Sequence, residues 1–197
     1  MYFNGDSSIP AISAELPWFA IQVRTRYEKQ VAQSIESKNI HTFLPLYASR
    51  RRWSDRTKDV HVPLFDGYVF CRLDARFRLP ALTIPGVLMF VEINKTPIPV
   101  DDSEIASLKL IASSGCAAAP WPYLEAGQRM RIERGALKDL EGFIVEVKNH
   151  WRVIVSVTLL QRSVAVEVDR DSICPIGRRT PSGSHTASRY SIQKAIA

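Results

Sequence analysis

The sequence predicts an α+β chain of two domains, a layered arrangement of strands and helices followed by a small all-β domain. Two observations carry that expectation. The apolar periodicity changes from a mixture of helix and strand spacings to a strict two-residue alternation, and a small-residue, proline-containing stretch separates the two regimes. The 197 residues are enough for one large or two small domains.

Residues 1–16 read as a flexible leader, after which "WFAIQV" (18–23) is the first strand. In "TRYEKQVAQSIESKN", Thr25 and Glu28 have capping-box spacing, and Tyr27, Val31 and Ile35 form one apolar stripe of a helix that Asn39 can end. "HTFLPLY" reads as a second strand, "SRRRWSDRTKD" as a hairpin or loop, and "PLFDGYVFCRL" as a third strand. "VLMFVEI" (87–93) is another strand. "VDDSEIASLKLIAS" is a second helix, with Asp101 and Glu104 at capping positions and Ile105, Leu108 and Ile111 as its stripe. These elements place the first domain at 17–112. "SSGCAAAPWP" (113–122) contains small residues and two prolines, which do not extend a sheet or a regular helix, so it reads as a linker.

Beyond it, at 123–177, the period is two. Met130 and Ile132 alternate with Arg129, Arg131 and Glu133, and Phe143, Val145, Val147; Val153, Val155, Val157; and Val164, Val166, Val168 recur at every second position. Short β-branched strands joined by tight turns indicate a small barrel. Gly135 and Gly142 bracket "ALKDLE" and suit turns that need positive φ. The tail, 178–197, has the Ser, Gly and Thr content of a disordered segment.

Composition bounds the function. The chain is 46% hydrophobic and 23% charged, ordinary for a soluble globular protein, and no apolar run approaches the roughly 18 residues of a membrane span. The N-terminus lacks a basic start followed by an apolar run, so no secretory signal is expected. Cys71, Cys116 and Cys174 are far apart and form no CxxC or Cys/His cluster, which argues against a disulfide framework or a zinc site and for a cytoplasmic location. His41, His61, His150 and His185 belong to no HExxH or nucleophile motif, and the glycines form neither a P-loop nor a GxGxxG turn. Binding, without catalysis, cofactor or metal, is the chemistry expected. The net charge of +6 favours a polyanion modestly. Its position is more telling: Arg50, Arg51, Arg52, Arg56 and Lys58 cluster around Trp53. That cluster reads either as a nucleic-acid contact or as a solvated hairpin.

The third strand raises a separate question. After the Asp66-Gly67 break, Tyr68 and Phe70 point one way while Val69, Cys71 and Leu73 point the other, so both faces are apolar. The rings are either ordinary core or a surface kept for another molecule.

With those pieces placed, the chain resembles the NusG family of transcription elongation factors, most closely the specialised RfaH and UpxY antiterminators. The resemblance covers 17–177 and rests on "WFAIQVRTRYEKQVAQSIE", "PLFDGYVF", "IPGVLMFVEI" and "AGQRMRIERGALKDLEGFIVEV". The last is similar to a KOW motif with Gly135 and Gly142 at its turns. The fold implied is an NGN-like antiparallel four-stranded sheet with flanking helices, linked to a small SH3-like KOW barrel. The partner implied for the first domain is the RNA polymerase β′ clamp helices, received on an aromatic surface to which Phe65, Tyr68, Phe70 and Phe90 correspond. Large rings gain enough from burial for such a contact. Family members usually carry Pro-Gly or Pro-Asn where this chain has Asp66-Gly67, a pair that still makes a turn.

The resemblance also implies contact with non-template DNA. The basic stretch (Arg50, Arg51, Arg52, Trp53, Arg56, Lys58) would supply phosphate charge and a stacking surface, and Arg24 and Lys29 fall near positions the specialised paralogues use. Leu159, Leu160 and Arg162 match a loop that contacts ribosomal protein S10, or Rho in general NusG proteins; closing the end of the barrel is the other reading of those leucines. The C-terminal domain of RfaH can refold as a helical hairpin, whereas the valine-rich strands here favour a barrel. A monomer without membrane contact is expected. The rival function is a ribosome-associated or RNA-binding adaptor, because KOW barrels also occur in ribosomal proteins.

Overall fold

In a computed structural model, which describes residues 16–52, 57–124, 127–147 and 150–176, the chain forms two antiparallel sheet systems. The N-terminal part runs β1 (Trp18–Val23), α1 (Glu28–Glu36), β2 (His41–Phe43), β3 (Leu46–Arg52), β4 (Thr57–Pro63), β5 (Tyr68–Arg72), α2 (Leu79–Leu82), β6 (Val87–Phe90), β7 (Glu92–Ile93), β8 (Thr96–Pro97), β9 (Pro99–Val100) and α3 (Asp102–Ser114). The C-terminal part runs β10 (Ala118–Trp121), β11 (Arg129–Ile132), β12 (Glu141–Val147), β13 (His150–Val157), β14 (Arg162–Val168) and β15 (Ile173–Pro175).

The first sheet has the order β2-β5-β1-β6, with β9 also paired to β1. Its central strand β1 has neighbours on both edges and is buried on both faces, which is why "WFAIQV" is almost uniformly apolar. Val31, Ala32 and Ile35 of α1 and Ala81 of α2 pack with Phe19, Ile21, Val23, Val69, Cys71 and Leu73 on one face. Trp18, Ala20 and Phe70 occupy the opposite face with Ile105, Leu108 and Ile111 of α3. The basic hairpin β3/β4 is a two-stranded sheet of its own. Two expected strands are broken. Pro45 divides "HTFLPLY" into β2 and β3. At Val91 the 87–93 run leaves the sheet, and its remainder pairs with β8.

α3 begins and ends as its sequence dictates. The Asp101 carboxylate accepts the Ser103 N–H at 2.7 Å, and Gly115 in the left-handed region (φ 69°) stops the helix. The start of α1 differs from expectation. Its cap is Tyr27 without a side-chain bond, and the Glu28 carboxylate is directed to the Gly67 N–H.

The C-terminal sheet has the order β10-β14-β13-β12-β11-β15. Its inner residues include Ile132, Val153, Val155, Val157, Val164 and Val166. The predicted linker is shorter than 113–122, because Ala118–Trp121 pair with β14. Pro120 is compatible with a strand here since β10 lies at the sheet edge, where a missing N–H costs nothing. Residues 115–117 alone separate α3 from β10. Gly135 has the expected positive φ (86°), whereas Gly142 lies inside β12. A Cβ there would collide with the carbonyl of Ile154 and sit 2.7 Å from Val153 Cγ1, so close approach of β13 is what requires glycine. Residues 1–15 of the expected leader and the tail from residue 177 lie outside the described residues.

Candidate protein-docking face

The turn before β5 is held from two directions. The Gly67 N–H donates to Glu28 Oε1 at 2.8 Å, and the Val23 N–H donates to the Gly67 carbonyl at 2.9 Å. Gly67 itself has φ 79°, a conformation glycine adopts without strain. Glu28 is a buried carboxylate, 4% exposed, so its bond to the turn is shielded from competing water. Sequence reasoning missed this role because a glutamate near a helix start is equally suited to capping the helix.

From that turn the chain presents Phe65, Tyr68 and Phe70 on the face opposite α1. Phe65 and Phe70 meet edge to face with centroids 5.9 Å apart, and Phe43 stacks on Phe70 at 6.2 Å. Phe65 and Phe70 are sealed, at 1% and 0% exposure, while Tyr68 is half-buried. One end of this face is closed by the N-terminal domain itself. Lys109 of α3 places its Nζ 4.4 Å from the Trp18 ring centroid, and Arg72, paired with Asp102 at 2.9 Å, lies 5.4 Å from it.

The other end is closed by the C-terminal sheet. Arg162 lies over the Tyr68 ring at 5.4 Å. Glu104 Oε1 accepts both the Thr158 N–H (3.1 Å) and the Thr158 hydroxyl (2.8 Å). Leu160 is buried and Leu159 partly buried against a single apolar cluster that contains Phe65, Phe70, Val157 and Val164. The two predicted protein-binding surfaces therefore cover each other. The aromatic rings are core in this arrangement, and the cover over one end of them belongs to the other sheet.

Phe90 does not belong to this face. Its pairing with Ile21 puts it among the odd-numbered residues of β1, where its ring meets Phe19 edge on at 6.1 Å. Neighbouring Met89, opposite Gln22, takes the position expected of Phe90, and 45% of it is exposed. The alternation within "VLMF" carried that information, but the register with β1 decides which parity faces α1.

Arg24 and Lys29 are exposed, the first just beyond β1 and the second in the opening turn of α1. In the hairpin the backbone register pairs Arg50 with Asp59, Arg51 with Lys58 and Arg52 with Thr57. Trp53 and Arg56 lie outside the described residues. No group of three His, Cys, Asp or Glu side chains suited to a metal occurs among the described residues. Burial pushes the Cys71 thiol up to about 12, so it stays neutral within the core. Among the described residues no helix is long and apolar enough to cross a membrane.

A sheet-and-helix unit is thus joined by three residues to an all-β unit, with one apolar cluster that includes the aromatic rings shared between them. The family model described as transcription termination factor nusG matches residues 16–109. Among curated relatives, the transcription termination/antitermination protein NusG of Yersinia pestis is 27% identical over 173 residues, 77% of this chain and 92% of the relative. That of Helicobacter pylori is 22% identical over 175 residues, 78% of this chain and 94% of the relative. The solved structure of Thermotoga maritima NusG, described for its domain interaction, covers 82% of this chain and 97% of its own at 19% identity and a TM-score of 0.52, a likeness of fold. Residues 16–109 thus match the NusG family model, and the chain is similar to NusG proteins over about three quarters of its length.

Proposed function

We propose that this protein is a non-enzymatic transcription elongation and antitermination factor of the specialised RfaH/UpxY type. Its N-terminal domain receives the RNA polymerase β′ clamp helices on Phe65, Tyr68 and Phe70, with Met89 in place of Phe90. The observation that carries this reading is the cover over those rings. Part of it is a separate sheet attached by a three-residue connection, so it can be lifted without unfolding the sheet that bears the rings. A factor bound across the clamp prefers the closed polymerase and so disfavours pausing and termination. On this reading the Leu159, Leu160 and Arg162 loop, freed when the rings are taken, engages a second partner, ribosomal protein S10 or Rho, at high local concentration. The hairpin residues Arg50, Arg51, Arg52, Trp53, Arg56 and Lys58, with Arg24 and Lys29, track the non-template strand. The protein acts as a cytoplasmic monomer.

Co-purification with core RNA polymerase tests the docking site. Phe65→Ser with Tyr68→Ser is expected to abolish it while circular dichroism retains the native spectrum. Tyr68→Ser alone, at a half-buried position, keeps the test decisive if the double variant does not fold. Undiminished polymerase binding by Tyr68→Ser would remove the site, and co-sedimentation with ribosomes in its place would favour the adaptor function.

A further inference from the structure

Resting on the docking function proposed above, we infer that Met89 is the landing point of the partner helix, the segment of the docking face from which that helix displaces the C-terminal sheet. Gln22 pairs with Tyr68 on one side and with Met89 on the other. Residues directly opposite each other in antiparallel strands share a face, so Tyr68, Gln22 and Met89 form one row across the sheet. Along that row the cover thins. Phe65 and Phe70 beside it are sealed, Tyr68 is half-buried under Arg162, and Met89 is 45% exposed. Val91, next on the same face, hydrogen-bonds through its N–H to Ala20 and packs into the apolar cluster, so Met89 is continuous with the covered rings. β6 is an edge strand, and among the described residues no strand lies beyond it.

The dimensions suit one helix. Two strand spacings, about 10 Å, separate Tyr68 from Met89, close to the diameter of an α-helix with its side chains. A helix lying over Gln22 therefore touches Met89 with one flank and the edge of Tyr68 with the other. The occupant is the apolar stripe of an amphipathic helix bordered by carboxylates, because exposed Arg26 lies in the turn just past the end of β1. Methionine suits a first encounter, since its unbranched, polarisable chain adapts to an imperfectly seated partner. Contact there lets the partner begin binding while the C-terminal sheet is still docked, instead of waiting for it to leave.

A contact made in the transition state of binding changes the association rate, whereas one made afterwards changes dissociation. Stopped-flow binding of the full chain to a β′ clamp-helix coiled-coil fragment separates the two. Met89→Gln is expected to slow association about fivefold with dissociation unchanged, and Met89→Leu to restore the rate. Met89→Gln with association unaltered, or with its whole effect in dissociation, overturns the landing point. Tyr68→Ser in the same assay reports the docking site separately. If it destroys binding while Met89→Gln is silent, the landing point alone fails; if Tyr68→Ser binds normally, the docking site fails first.

Discussion

The centres of the two faces of the N-terminal sheet, at Phe70 and at Cys71, are equally sealed and by different means. Behind Val69, Cys71 and Leu73 lie α1 and α2, which follow β1 and β5 closely in sequence and share their core. Over Phe65 and Phe70 lie α3 and, beyond it, a sheet from the other end of the chain. The first face can be exposed only by unfolding. On the proposed function the second is exposed in part by a rigid-body departure, whose polar contacts among the described residues include the Glu104–Thr158 hydrogen bonds and the Arg162–Tyr68 cation–π contact. Burial fraction thus says nothing about permanence; connectivity does.

The sharpest way to break this comparison is chemical. Cys71 lies on the sealed face, with its thiol pushed up to about 12 by burial, and Cys116 is partly exposed within the connection to the C-terminal sheet. Alkylation of Cys71 under native conditions is expected to be at least about a thousandfold slower than that of Cys116, because it requires global opening. Comparable rates, measured by peptide mass spectrometry, would mean that the α1 side also opens locally.

Substitutions test the same asymmetry by stability. Phe19→Ala removes a ring packed between α1 and the sheet and is expected to cost about 3–5 kcal/mol in urea unfolding. Tyr68→Ala, on the removable side, is expected to cost about 1 kcal/mol. Within the C-terminal sheet, Gly142→Ala forces a Cβ into the backbone of β13 and is expected to lower its stability by about 1–3 kcal/mol, read by thermal unfolding.

What was legible in the sequence follows the same division. Local patterns gave α3 with Asp101 and its stripe, the opposed parities of Tyr68–Phe70 and Val69–Cys71, and the two-residue alternation around Val153 and Val164. The features it hid depend on partners distant in sequence. Glu28 has capping-box spacing from Thr25 yet serves Gly67, 39 residues away. Glu104 sits at a capping position but serves Thr158, 54 residues away. Phe90 looks like its aromatic neighbours until the register with Ile21 assigns its face. Ala118–Trp121 reads as linker because an edge strand's tolerance for proline is a property of the sheet, invisible within the segment itself. That Phe65 and Phe70 share one apolar cluster with the C-terminal sheet has no local signal whatever.

The contact between sheets can be weakened without touching either core. Glu104→Ala removes the acceptor of two hydrogen bonds from Thr158 and is expected to destabilise the docked arrangement by about 1 kcal/mol, raising the undocked population about fivefold. Amide shifts of Tyr68 and Thr158 should move together toward a common undocked position. Unchanged shifts would place the hold elsewhere, in the apolar cluster.

The smallest expected effect is a pH dependence at the sealed end of the docking face. His41, whose ring lies 5.0 Å from that of Trp18, is held below its ordinary value of 6.5, first by burial and then by the charges of Lys109 and Arg72. The unfolded chain therefore takes up a proton near pH 6.5 that the folded chain accepts only at lower pH. Stability is greatest above pH 6.5, falls as the pH drops through that value, and levels off below the folded pKa. Because His41 is substantially exposed, solvent screening keeps the shift in melting temperature on the order of 1 °C. His41→Asn should remove this part of the slope between pH 7 and pH 5.5. A slope that survives the substitution intact would mean that His41 titrates alike in both states, and that the Lys109–Arg72 cluster does not press on it.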